Sequence, residues 1–360
     1  RHGIRHMFPT PDNLAQKRRT LISELRQRGY RTGVISDFAG DIFSRIQLGF
    51  EDVRVPRFTL KANVELAGIK LHYHLVPYLS NLLGASRRYP VLKLWERFAD
   101  AGALTDEAVR WLRQGDGRPF ALVVFYSAPH FPYSAPWPYY KKYPNPDYEG
   151  PSRYMKGGWT NQNHAPGEGE RQQIRDLYDG SLLATDHAIG RLLDQLQHMD
   201  MLSRTHIVVT ADHGENLYEE GFGVGHGDHL RGAGSLQIPL LVRPAEGAGF
   251  GHRRVENSVR SIDLAPTLLD LVGAPRLPDA DGESLRPLAE GKTRAVEPPV
   301  FFETGLWFIS PEAEVLEGKT MTFTDAFGAY IPDPETHEIF FDPRYDDDFL
   351  VAKHRAVLLD

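Results

Sequence analysis

The sequence predicts an α/β fold on three observations. Short apolar runs rich in β-branched residues, Thr32–Ser36, Pro119–Tyr126 and Ile207–Val209, read as buried strands. Amphipathic helical stretches lie between them. The strands end in polar residues able to do chemistry, and open α/β sheets gather ligands beyond the carboxyl ends of their strands.

The 360 residues are 41% hydrophobic, enough for a large core and for more than one domain. A formal net charge of −7 gives no basic face, so nucleic acid is excluded as a partner. The chain has no cysteine, which removes disulfides and a cysteine nucleophile within it. No run of about eighteen apolar residues marks a membrane span. The chain opens Arg1-His2-Gly3 and reads as a fragment, which leaves a signal or membrane anchor upstream open.

Taken in order, Thr20 to Tyr30 reads as an amphipathic helix closed by Gly29, followed by the strand Thr32–Ser36. That strand runs into Asp37, a helix cap or loop carboxylate on one reading and a site residue on the other. Residues 58 to 115 read mainly as helix. His72 and His74 are spaced i, i+2, share no helical face and read as structural. Thr105-Asp106-Glu107-Ala108 reads as a helix start, and Gly115-Asp116-Gly117 as its end. The strand Pro119–Tyr126 leads into Ser127-Ala128-Pro129-His130. Residues 131 to 169, rich in Pro, Tyr, Gly and Asn, read as a long irregular loop. Arg171 to Gln197 reads as one long helix with an apolar stripe through Tyr178, Leu182, Leu192 and Leu196. His187 is expected to face outward, and Asp186 to be structural.

The organising stretch is Thr205 to Arg243. Ile207-Val208-Val209 reads as a buried parallel strand that ends in Ala211-Asp212-His213-Gly214. A carboxylate beside an imidazole suits a divalent metal. A glycine-rich loop bearing His226 and His229 follows, then the apolar strand after Gln237. Farther on, Asp263 is expected to cap a helix that ends at Gly273. A charged, proline-bearing boundary near 290–299 divides residues 1–290 from a carboxy-terminal part, 291–360, of short strand-like runs.

The ordered set Ala211-Asp212-His213-Gly214, Gly225-His226-Gly227 and Ile238-Pro239-Leu240 resembles the sulfatase family of the alkaline phosphatase superfamily. The helix–strand unit ending at Ser36, the Pro129-His130-Phe131-Pro132 phrase and Arg260–Gly273 fit the same family. Arg1–Arg5 resembles the end of the family's nucleophile segment. The resemblance implies an alkaline-phosphatase-like mixed sheet flanked by helices, with the start of a small carboxy-terminal α+β domain.

The resemblance also implies an activity: metal-dependent hydrolysis of sulfate esters or of related phosphate or phosphonate esters. It makes Asp212 and His213 metal ligands. His130 contacts the leaving or transferring group, and Arg231 stands where the family often has a lysine. His229, or else His226, takes over an acid role, and His226 binds substrate. The metal implied is calcium, with manganese or zinc as alternatives, and the partners are a small-molecule, glycan or lipid ester. A periplasmic or extracellular location is favoured. Classical members end the first strand in Gly-Lys-Trp-His, whose lysine binds sulfate, where this chain has Ser36-Asp37-Phe38-Ala39. A phosphodiesterase, a phospho-group transferase and an inactive binding homologue stay open as alternatives.

Overall fold

The computed structural model describes residues 19–40, 42–55, 100–130, 133, 135–150, 152–153, 166–219, 224–226, 230, 232–294, 296–303, 330–332, 339–341 and 355–358. The expectations for Arg1–Arg5, His72, His74, His229 and Arg231 lie outside these residues, as does the whole stretch 58–99.

The first helix, α1 (Leu21–Gln27), starts where its cap dictates. The Thr20 hydroxyl accepts from the Ser23 amide, and Ser23 reciprocates to the Thr20 amide. Gly29, at φ 83°, turns the chain into β1 (Arg31–Ser36). β1 is buried along its whole length, as a strand covered on both faces must be. It pairs in parallel with β2 (Asp52–Arg54) on one side and β3 (Phe120–Phe125) on the other. A short helix, α2 (Ile42–Arg45), connects β1 to β2.

One face of this sheet is covered by α3 (Ala101–Arg113). The helix starts four residues before the expected Thr105, because Asp100 caps it by accepting from the Ala103 amide. Thr105 instead lies inside the helix, where its hydroxyl donates to the Ala188 carbonyl at 3.1 Å. Trp111 is fully buried against β1, its indole N–H donating to Asp52 at 2.8 Å. A Cβ on Gly33 would fall 2.7 Å from that indole, so glycine is what lets the ring pack so closely. Packed against α3 is the long helix α4 (Glu168–His198). Ile174, Leu177, Ala184, Ala188 and Leu196 form its buried side, whereas Leu182, expected in the stripe, is 48% exposed. His187 is exposed and meets the Tyr139 hydroxyl, as an outward residue should. Before α4, the described residues of the 131–169 stretch hold only a 3-10 turn at Tyr139–Lys141.

β4 (Ile207–Thr210) corrects the parallel expectation. Among the described strands it pairs with β7 (Leu240–Arg243), and the pairing is antiparallel, Ile207 opposite Arg243 and Thr210 opposite Leu240. The chain leaves β4, makes the glycine-rich excursion and comes straight back, which is the antiparallel arrangement. Inside the excursion, β5 (Asn216–Leu217) and β6 (Val224–Gly225) form a second small antiparallel pair.

A cleft of about 2470 Å³ runs between these sheets. It touches every residue from Pro119 to Ser127 and every residue from Thr205 to Glu215. Successive strand residues point to opposite faces, so a cleft that meets all of them follows the strand edges, and it reaches past their carboxyl termini to His130 and His213.

Beyond β7, α5 (Leu264–Leu271) ends at Val272, and Gly273 follows with φ 66°. Asp263 stands at its N-cap position but does not cap with its side chain. The Arg260 guanidinium and the Glu283 amide take both of its oxygens instead. Burial alone would raise its pKa, but these hydrogen bonds outweigh burial and lower it. Asp263, through the Glu283 amide, and Thr267, through the Leu285 amide, thus tie the Gly282–Leu285 turn and the following α6 (Arg286–Ala289) to α5. After residue 290, β8 (Val300–Glu303) pairs antiparallel with β11 (Arg355–Leu358), and β9 (Tyr330–Pro332) with β10 (Ile339–Phe341).

Candidate active site

Three segments converge at the carboxyl ends of β3 and β4. The first is the loop after β3. The Ser127 hydroxyl donates to Asp37 Oδ1 at 2.5 Å, which fixes this loop to the end of β1. Two turns then carry the chain onward, the His130 amide donating to the Ser127 carbonyl and the Tyr133 amide to the His130 carbonyl. Tyr133 is fully buried with φ 54°, a conformation few non-glycine residues adopt, so the surrounding packing holds it there.

The second segment follows β4. The His213 amide donates to Asp212 Oδ1 at 3.1 Å, and His213 Nε2 lies 3.5 Å from Asp212 Oδ2. His213 Nδ1 sits 2.8 Å from the Gly214 carbonyl, which only accepts, so Nδ1 is the donor, and in the neutral ring Nε2 keeps its lone pair. A lone-pair nitrogen beside a carboxylate, its second ring nitrogen tied to a carbonyl, is the arrangement of a metal-binding histidine. Gly214 is packed under this turn. A Cβ there would lie 1.9 Å from the Gly234 carbonyl oxygen.

The third segment is the return loop. His226 stacks on His213 with ring centroids 3.7 Å apart and meets His130 edge-on at 5.0 Å. The structure therefore brings together four of the six residues singled out in the sequence: His130, Asp212, His213 and His226. All four line the cleft. Among the described residues no three His, Asp or Glu side chains are arranged to hold a metal, so Asp212 and His213 offer part of a shell. Their donor set, one carboxylate oxygen and one imidazole nitrogen, fits a divalent cation.

Two residues passed over in the sequence belong here. Glu215 has a side chain 5% exposed, and its Oε2 accepts from His226 Nδ1 at 3.0 Å. The signal was present: a carboxylate leading into a histidine-bearing loop is a natural imidazole partner. Tyr133 is the second. Burial first, and then the Glu215 carboxylate beside it, push the Tyr133 phenol well above its ordinary pKa.

Asp37 is fully buried at the end of β1. Burial raises its pKa to about 6 against the hydrogen bonds from Ser127 and the Ala39 amide. Its bond to Ala39 makes it a loop carboxylate, and its bond to Ser127 connects it to the His130 loop.

The sulfatase family model matches residues 2–274, three-quarters of the chain. The chain belongs to the sulfatase family. It is 32% identical over 227 residues to the multifunctional alkaline phosphatase superfamily protein PehA of Trinickia caryophylli, covering 55% of this chain and 43% of that protein. It is 27% identical over 302 residues to the extracellular sulfatase SULF-1 homolog of Drosophila melanogaster, covering 77% of this chain and 24% of that protein. The chain thus spans less than half the length of these relatives. Among solved structures it is similar to the phosphonate monoester hydrolase SpPMH from Silicibacter pomeroyi. The TM-score is 0.55 at 23% identity, over 79% of this chain and 63% of that one. This likeness shows a shared fold, of the α/β class expected from the sequence.

Proposed function

We propose that this sulfatase-family chain carries part of the active site of a metal-dependent hydrolase of sulfate esters or related phosphate and phosphonate esters. One observation supports the reading above others: Asp212, His213, His226 and His130 meet at one cleft at the carboxyl ends of the strands. Residues 1–290 form the catalytic domain on this reading, and residues 291–360 begin a smaller one.

Asp212 and His213 hold a divalent cation, with calcium favoured and manganese or zinc as alternatives. When bound, such an ion polarises the oxygens of the sulfuryl or phosphoryl group and stabilises an oxygen nucleophile. His130 hydrogen-bonds the ester oxygen or protonates the leaving group. His226 binds the substrate. His229 and Arg231 come from the sequence alone: Arg231 stands at the family's lysine position as a forked positive partner for two oxygens, and His229 or His226 takes the acid role because arginine does not donate a proton near neutral pH.

A second reading within the same chemistry rests on Asp37. The lysine that binds sulfate in classical members has no counterpart at the end of β1, where a buried carboxylate stands. That favours phosphate or phosphonate esters over plain sulfate esters. The substrate is a small-molecule, glycan or lipid ester, met in the periplasm or outside the cell. One relative is named an extracellular sulfatase, and among the described residues no helix is long and apolar enough to cross a membrane.

The test is turnover of p-nitrophenyl sulfate and p-nitrophenyl phenylphosphonate by the full-length protein, with and without a chelator. Turnover lost on chelation and restored by calcium, manganese or zinc supports the hydrolase. Weak or absent metal binding, with no turnover of either ester, supports the binding homologue instead.

A further inference from the structure

Glu215 takes no part in the roles assigned so far, yet its side chain is only 5% exposed. A carboxylate out of water needs partners. The His226 imidazole supplies one, with Nδ1 3.0 Å from Oε2. An ionised carboxylate only accepts, so Nδ1 is the protonated nitrogen. The two ring nitrogens of an imidazole lie on different edges. Anchoring Nδ1 on Glu215 therefore leaves Nε2 for the cleft that His130, Asp212 and His213 also line.

The backbone is built to make this contact. In the β5–β6 ladder Asn216 stands opposite Gly225 and Leu217 opposite Val224, so the next pair along is Glu215 and His226. Gly225 has φ 112°, open to glycine and strained for other residues, and this turns the chain at the point where His226 leaves the ladder. The ring is then held on three sides: by Glu215 at Nδ1, by the His213 stack, and by the edge of His130. Tyr133, on the His130 loop, sits against the same carboxylate. Glu215 is thus the point at which the loops after β3, β4 and β6 are joined.

We infer that Glu215 is a positioning residue: its carboxylate fixes the tautomer and the orientation of His226, so that Nε2 is the nitrogen offered to the substrate. The inference rests on the proposed hydrolase reading for its kinetic consequences, but its structural claim concerns the ring alone.

The experiment uses the full-length protein, with E215L, E215Q, H226A and the E215L/H226A double variant. Nitrogen-15 NMR of the histidine rings identifies the His226 tautomer, and turnover is followed with whichever of the two p-nitrophenyl esters the wild type hydrolyses. In the wild type His226 is expected as the Nδ1–H form, moving towards Nε2–H in E215L. E215L should lower kcat by about 10- to 100-fold, the usual effect of removing the group that orients an active-site histidine, with KM changed by less than about threefold. E215Q should keep at least about a third of the rate, because its amide oxygen still accepts from Nδ1. The double variant should be no slower than H226A, since the two residues act as one unit.

An Nε2–H tautomer in the wild type, a wild-type kcat in E215L, or losses that multiply in the double variant would overturn the inference. If E215L does not fold by circular dichroism, the wild-type tautomer and the E215Q rate decide. If the wild type hydrolyses neither ester, the hydrolase reading fails while the tautomer measurement still decides the role of Glu215.

Discussion

His213 and His226 lie face to face, their ring centroids 3.7 Å apart and their planes 23° from parallel. The stack joins the turn after β4 to the loop that returns from β6. It also covers one face of the proposed metal ligand, because His226 is itself only 13% exposed. Removing the covering ring should loosen the ligand. His226→Ala is expected to weaken binding of the activating cation by about 10- to 100-fold, as seen for partners that orient metal ligands. Isothermal titration with calcium, manganese and zinc measures this, and unchanged affinity would show that the stack is packing alone.

Asp212→Ala should abolish metal-dependent turnover while leaving the fold intact. The Asp212 side chain is 57% exposed, and its oxygens meet the amide and the ring of the neighbouring His213. Its loss should therefore cost less than about 0.5 kcal/mol of stability. Turnover with and without chelator, beside a urea melt, separates the two effects. An undiminished rate would remove Asp212 from the metal shell.

His130→Ala should reduce kcat by about 10² or more if the imidazole moves a proton at the leaving oxygen. The loop that carries it should survive, because Ser127 and Tyr133 hold that loop through backbone bonds and the Asp37 contact. A change confined to KM would assign His130 to substrate positioning instead.

Gly214→Ala tests the turn beneath the ligands. The added Cβ would meet the Gly234 carbonyl oxygen at 1.9 Å and the Gln237 carbonyl oxygen at 2.9 Å, both backbone atoms with little room to yield. The expected cost is about 1–3 kcal/mol, together with a loss of turnover as Asp212 and His213 shift. Thermal melting and the rate should fall together; a normal rate with normal stability would refute the packing argument.

Asp37 gives the chain a pH-dependent term in stability. Its folded-state pKa of about 6 lies above the ordinary 3.8. Its contribution is therefore fully stabilising below about pH 4 and is lost as pH rises through about 6. The difference in pKa corresponds to about 3 kcal/mol between those limits. Asp37→Asn should remove this slope while leaving an oxygen to accept from Ser127. Denaturant melts of both proteins from pH 4 to 8 test the sign, and parallel curves would mean that Asp37 titrates normally.

Much of the architecture was legible in the residues. The amphipathic stretch after Thr20, Gly29 and the apolar run Thr32–Ser36 pointed to a helix, a turn and a buried strand, because turn residues and side-chain periods are local properties. The order of Asp212, His213, His226 and His130 along the chain was enough to name four residues that do meet. Less local features were misread. Thr105 looked like a helix start because its own neighbours resemble a cap, whereas Asp100 caps the helix and Thr105 serves α4 from inside it. Ile207–Val209 looked like a parallel strand because composition reports burial and carries no direction.

By itself, the sequence determined which segments become helix and strand and which side chains stand at strand ends, since periodicity and capping depend on neighbours a few residues apart. Tertiary structure alone decided that β4 runs antiparallel to β7, that Asp37 is sealed against Ser127 ninety residues away, and that Glu215 rather than a water faces His226 Nδ1. The physical reason is the same in each case. A hydrogen bond between distant residues exists only once the chain has closed on itself, and neither partner's local pattern records the other.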